Sequence, residues 1–313
     1  MLRRTLAGLA LAALVTPGLG RSAEAQDWKA TIKQFRIGIL GGENTQDRLK
    51  SYDGFQKLLE AKLGVPVKLF PSADYAGVMQ GIASGQLEAA EFGASGFAGT
   101  WLDCKCVEPV IVPQEKDGST YYYSVMVTRK DSGITSIEQM RGHSLAWADP
   151  NSTSGYNMPL YTLDKMGIED ASKYFNKVLI TGSHENAVIA VADKTVDVCA
   201  NWWNADDDSN LTRMLNKGML KNPDGTPMKK DDFRIVLKSS LIINSPTAML
   251  ADLPPDLKTA IRSAFLNAAT ADKAAFDRLS DGKNLPWQPT DNAAYDDTIK
   301  MVAFVDRLRR KQT

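Results

Sequence analysis

The residues best suited to do chemistry lie at 149–155, Asp-Pro-Asn-Ser-Thr-Ser-Gly, where three consecutive hydroxyls, Ser152, Thr153 and Ser154, run into a glycine. The apolar run at 144–148 predicts a strand ending just before them, and the apolar spacing at 156–166 predicts a helix starting just after. The first amides of a helix have no partner inside it, and that end carries the positive half of the macrodipole. Hydroxyls and free N–H groups gathered there could hold a phosphate-like oxyanion without any lysine or arginine. A single capping residue accounts for one hydroxyl at such a start. Three in a row are more than a cap requires.

Other chemistries find less support. The chain has only two histidines, His143 and His184, and neither a G-x-S-x-G elbow nor a G-x-x-x-x-G-K-[ST] loop. An activated nucleophile or a metal site is therefore not predicted, and no catalytic residue, metal or cofactor is expected. Three cysteines are present, Cys104, Cys106 and Cys199. The first two are too close in sequence for an ordinary disulfide, and an odd number leaves at least one unpaired. Buried, redox-silent thiols are expected, with a bridge from Cys199 to one of the others as the alternative.

The N-terminus reads as a secretory signal: Arg3 and Arg4, an apolar stretch at 6–15, then Ala23-Glu24-Ala25, with cleavage near Ala25 or Gln26. No cysteine follows the apolar stretch to carry a lipid, and no later run is long and apolar enough to span a bilayer. Acidic and basic residues balance at 37 each, so no broad field favours nucleic acid or anionic lipid. The expectation is an exported protein without membrane insertion, whose specificity comes from local geometry.

The elements that must position the hydroxyls alternate in type. Strands are predicted at 35–40, 65–70 and 87–92, with helices on the face of Phe55, Leu58, Leu59 and Leu63 and at 75–82. After a strand at 121–128 the pattern restarts: a short helix at 136–140, strands at 144–148, 177–180 and 196–200, and a helix at 186–192. A strand at 234–243 and helices at 255–266 and 292–310 complete the chain. Two successive α/β units argue for doubly wound, mostly parallel sheets forming two lobes with a cleft between them. Ligands in such sheets lie beyond the carboxyl ends of the strands. The loops there, at 41–45, 73–75, 92–95, 151–155, 183–186 and 201–204, are small, hydroxylic or amide-bearing, with interspersed aromatics.

Asp74-Tyr75-Ala76-Gly77-Val78, the 149–155 loop, Gly182-Ser183-His184-Glu185-Asn186-Ala187 and Val196-Asp197-Val198 together resemble the periplasmic phosphonate-binding proteins of ABC transporters, over nearly all of the chain after the signal. The resemblance implies a two-lobed type II periplasmic binding fold that closes on its ligand by a hinge. It implies that Ser152, Thr153 and Ser154 hold the phosphonate oxygens, that His184 also reaches the anion, and that Tyr75 closes the pocket from the opposite lobe. The lobes are expected at 26–127 with 240–313, and at 128–239, after a signal peptide at 1–25. The sequence also departs from the family's pattern. Phe92 stands where aminoalkylphosphonate-binding relatives have a tyrosine, and Asn204 and Ser245 stand where they use carboxylates for the ammonium. Trp202 and Trp203 add aromatic surface, one ring of the pair facing inward.

The implied role is to capture a phosphonate and deliver it, as a monomer, to a membrane permease with an attached ATPase. A receptor for phosphite or another small phosphorus oxyanion, or a ligand-sensing module for a kinase or chemoreceptor, would use the same cleft. Because no basic cluster marks the site, only a mild salt dependence of affinity is expected.

Overall fold

Strand and helix alternate along the chain to build two separate sheets. The computed structural model describes residues 28–41 and 44–312. The signal peptide expected at 1–25 lies outside them, as does Gly42 of the first loop. The first half runs β1 (Phe35–Ile39), α1 (Thr45–Leu63), β2 (Val67–Pro71), α2 (Tyr75–Ala83), β3 (Ala89–Glu91), α3 (Ala94–Cys104), β4 (Val107–Glu115) and β5 (Tyr121–Arg129). Next come β6 (Ser144–Trp147), α4 (Met158–Lys165), α5 (Ala171–Tyr174), β7 (Lys177–Ile180), α6 (His184–Ala192), β8 (Val198–Ala205), β9 (Asp208–Ser209) and α7 (Asn210–Asn216). The chain closes with β10 (Phe233–Ile243), β11 (Thr247–Leu250), α8 (Pro255–Leu266), α9 (Ala268–Ala271), α10 (Lys273–Leu279), β12 (Asn284–Pro289) and α11 (Asp296–Gln312).

One sheet has the order β12-β4-β11-β3-β1-β2, the other β10-β5-β8-β6-β7 with β9 beside β8. Pairing is parallel where βα units follow one another, β2–β1–β3 and β7–β6–β8. It is antiparallel for β4, β5, β10, β11 and β12, so each sheet is mixed. The reason is the path: the chain leaves the first sheet after β4 and re-enters it at β11, and the returning strands run the other way. By sheet membership the crossings fall at 116–120 and 244–246, because β5 and β10 pair with each other in the second sheet; the sequence reading put the changes at 127 and 239.

Each lobe has its own core. In the first, Phe55, Leu59 and Leu63 of α1 pack with Phe265 and Trp287, and Gly64 ends the helix in the left-handed region at φ 67°. In the second, Val188 and Val191 of α6 pack with Val127, Leu211 and Phe233. A third cluster crosses between lobes: Met301, Val302 and Val305 of α11 join Ala98 of α3 to Tyr122, Leu145 and Trp147. The last helix is thus a brace, and its Arg309 donates to the Pro150 carbonyl of the hydroxyl loop.

Cys104 and Cys106 are disulfide-bonded, with Cα atoms 5.0 Å apart, contrary to the expectation from their spacing. Helix α3 ends between them, and Lys105 takes a left-handed φ of 53°, which turns the two sulfurs toward each other. Cys199 is free and buried in β8, and burial pushes its thiol up to about 12. Among the described residues, no helix is long and apolar enough to cross a membrane.

Candidate functional site

A cavity of about 360 Å³ lies where the two sheets face each other, and all nine residues singled out in the sequence line it. Tyr75 and Phe92 come from the first lobe, Ser152, Thr153, Ser154, His184, Trp202 and Asn204 from the second, and Ser245 from the returning crossing. Strand β8 continues to Ala205, so Trp202 and Asn204 are strand residues rather than loop residues. Alternation along that strand turns Trp202 into the cavity and Trp203 away from it. The Trp203 ring meets Tyr123 at 5.7 Å, with Lys238 Nζ 3.7 Å above each ring.

The hydroxyl loop is held from every side. Ser152 caps the following turn, its Oγ accepting the Gly155 N–H at 3.0 Å. The Asn157 N–H bonds to the Ser152 carbonyl at 3.0 Å, so Thr153–Asn157 forms a wide π-helical turn ahead of α4, three residues before the predicted helix start. Ser124 Oγ donates to the Ser154 carbonyl at 2.6 Å, and Asn157 Nδ2 to the Ser152 carbonyl at 2.9 Å. Gly155 is required here by space. A Cβ at that position would sit 2.5 Å from Ala148 Cβ and 2.9 Å from both His184 Cε1 and Ser152 Oγ.

Four helix starts meet at this cavity. Ser152 and Thr153 open the turn into α4, His184 is the first residue of α6, Tyr75 the first of α2, and Gly93 caps α3. Each start turns the positive end of its helix dipole toward the cavity. Their caps are local: Asp74 accepts the Gly77 N–H at 2.8 Å and Ser183 the Asn186 N–H at 3.0 Å. His184 Nε2 lies 3.1 Å from Ser152 Oγ, and the Asn201 amide fixes the His184 carbonyl at 3.0 Å. The lobes also touch directly here, the Ser95 N–H of α3 donating to Thr153 Oγ1 at 2.8 Å.

The structure adds residues that the sequence reading missed. Tyr122 lines the cavity with its phenol among the hydroxyls of Ser154, Thr153 and Ser245, and burial raises its pKa. It supplies from β5 the phenol that Phe92 lacks. In the run Tyr121-Tyr122-Tyr123, strand alternation alone would have turned the middle ring inward.

Charged residues that the sequence reading did not place there also reach the cavity, each base paired with an acid. Arg48 pairs with Glu91, which also accepts from Tyr52. Arg213 pairs with Glu185 at 3.1 Å, and Lys283 with Asp208, which accepts the Asn204 amide at 2.7 Å. Asn204 and Ser245 do not leave that end neutral, because Glu91, Glu115 and Asp208 line it. Asp206 and Asp207 are not among the lining residues.

Glu115 is distinctive. It accepts from Asn244 Nδ2 at 2.9 Å and Asn284 Nδ2 at 3.4 Å and forms no ion pair among the described residues. Burial raises its pKa to about 7, with Asp208 and Asp117 reinforcing the rise and the Asn244 bond and Lys283 opposing it.

Two lobes that present helix starts to one shared cleft, joined by two strand crossings, define a solute receptor of the hinged, two-lobed type. The family profile described as "ABC transporter, phosphonate, periplasmic substrate-binding protein" matches residues 37–295, and the chain belongs to that family. It is 29% identical over 263 residues to the phosphonates-binding periplasmic protein of Escherichia coli, covering 82% of this chain and 71% of that one. It is 26% identical to the phosphate-import protein PhnD of Mycolicibacterium smegmatis, covering 80% of this chain and 75% of that one. A solved binding-protein component of an ABC phosphonate transporter from Pseudomonas aeruginosa superposes with a TM-score of 0.73 at 26% identity, over 90% of this chain and 89% of that one. The family is one of binding components, not enzymes: the ligand is captured and handed on, with no bond made or broken.

Proposed function

We propose that Ser152, Thr153, Ser154 and His184 grip the oxygens of a phosphonate in this cavity, with Tyr75 closing over it from the first lobe. The observation that carries the reading is the meeting of three hydroxyls and four helix starts, from both lobes, at one cavity. A helix start offers aligned donors without reorganisation, and hydroxyls add donors that can turn toward the anion. Phe92 and Trp202 form the apolar sides, and Asn204 and Ser245 face the substituent. The loaded receptor then docks, as a monomer, on a membrane permease driven by an ATPase. The leader directs export and is removed near Ala25.

Room and charge narrow the ligand. A bare tetrahedral anion fills roughly 60–90 Å³, two to three waters' worth, whereas the cavity holds about 360 Å³. The excess space favours a phosphonate with a substituent over phosphate or phosphite. Glu115, which forms no ion pair among the described residues, favours a substituent that donates hydrogen bonds or carries a positive charge.

Replacing Ser152, Thr153 and Ser154 together with alanine should abolish binding of methylphosphonate in calorimetry while circular dichroism shows the fold retained. Unchanged affinity would sink the assignment. A thermal-shift panel of alkyl and aminoalkyl phosphonates, phosphate and phosphite should rank the substituted phosphonates first, because ligand bound only to the native state raises the midpoint with affinity. Uptake lost on disrupting the permease would separate transport from sensing.

A further inference from the structure

Two ion pairs join the lobes directly to each other. Lys283, which leads into β12 of the first sheet, pairs with Asp208 on β9 of the second, and both line the cavity. The pair is largely shielded, the side chains being 34% and 16% exposed, and the second Asp208 oxygen takes the Asn204 amide at 2.7 Å. Lys217, just past the end of α7 in the second lobe, meets Asp47 in the first turn of α1 in the first lobe at 3.0 Å. Each charge also sits at the helix end whose dipole favours it, the cation at a C-terminus and the anion at an N-terminus.

We propose that these pairs, Lys283–Asp208 at the cavity wall and Lys217–Asp47 at the surface, form an interlobe latch that populates the closed form before ligand arrives. The proposal builds on the reading of the protein as a closing receptor, but not on which ligand it takes. A receptor whose competent form is scarce binds with an affinity reduced by that fraction, and a latch removes part of the reduction. Closure by charge pairs is also sensitive to screening, most of all at the exposed Lys217–Asp47 pair.

The test is solution scattering of the ligand-free protein, with calorimetry of methylphosphonate alongside. At low ionic strength the wild-type profile should match the compact arrangement in which both pairs are made, and adding salt should expand the particle. Asp208→Asn and Lys217→Ala should each expand it already at low salt and weaken affinity about three- to tenfold. The exchange of Asp208→Lys with Lys283→Asp should restore compaction, which mere damage to the fold would not do; Lys217→Ala, on the surface, covers the case in which Asp208→Asn fails to fold. Wild-type protein that is open at every salt concentration, or variants that scatter like wild type, would overturn the latch. Absence of methylphosphonate binding in a compact, salt-responsive protein would instead count against the phosphonate reading alone.

Discussion

Gly155 shows how little slack the hydroxyl corner has. Its missing side chain lets Ala148, Ser152 and His184 converge within contact distance. Gly155→Ala should destabilise the fold by about 1–3 kcal/mol through overpacking and weaken ligand binding at least tenfold, since the hydroxyls and His184 move together; calorimetry of the variant checks both. Glu115 makes a different prediction. Its folded pKa of about 7 lies above its unfolded value, so the native state holds the proton more tightly, and the stability this confers is complete below about pH 4.5 and lost as pH rises through 7. Glu115→Gln should therefore raise stability at pH 8 by about 1–3 kcal/mol and change it little at pH 4.5. Equal effects at both values in thermal melts would contradict the assignment. In ligand panels the same substitution should narrow any preference for aminoalkyl over alkyl phosphonates. The convergence of Ser152, Thr153, Ser154 and His184 on one cavity was legible in the sequence because they are contiguous or sit beside a predicted helix start. Arg48, Glu115, Asp208 and Lys283 were not, because only tertiary folding brings them to one cavity.

At the scale of elements, the βα units read well because apolar period and caps agree, as in α1, closed by Gly64, and α6, opened by Ser183. Strands β4, β11 and β12 were missed. β4 contains Pro109 and Pro113 and β12 contains Pro286 and Pro289, which mask a strand pattern, and β11 has only four residues. These are the strands that flank the crossings or return from them, which is why the change of sheet was not legible at them. Helix α11 was visible as an amphipathic segment, but its role as a brace was not, since one apolar face says nothing about which two lobes it serves. Val305 is fully buried in the cluster that spans them. Val305→Ala should cost about 1–3 kcal/mol and lower the melting temperature by roughly 2–12 °C, measured by calorimetry.

For the whole molecule, the shared cluster under α11 couples what the two sheets would otherwise leave separable. Heating should give one calorimetric transition, raised as a unit by ligand. Two resolved peaks, only one of them shifted by ligand, would show that the brace does not couple the lobes. The pairing of Cys104 with Cys106 also bears on the molecule as a whole, because it leaves Cys199 as the sole thiol. Held protonated and out of solvent at the centre of the second sheet, that sulfur is beyond the reach of alkylating reagents while the strands around it stay paired. The protein thus carries its own chemical clock: the rate at which iodoacetamide marks Cys199 counts openings of the second lobe, and a bound ligand should slow it.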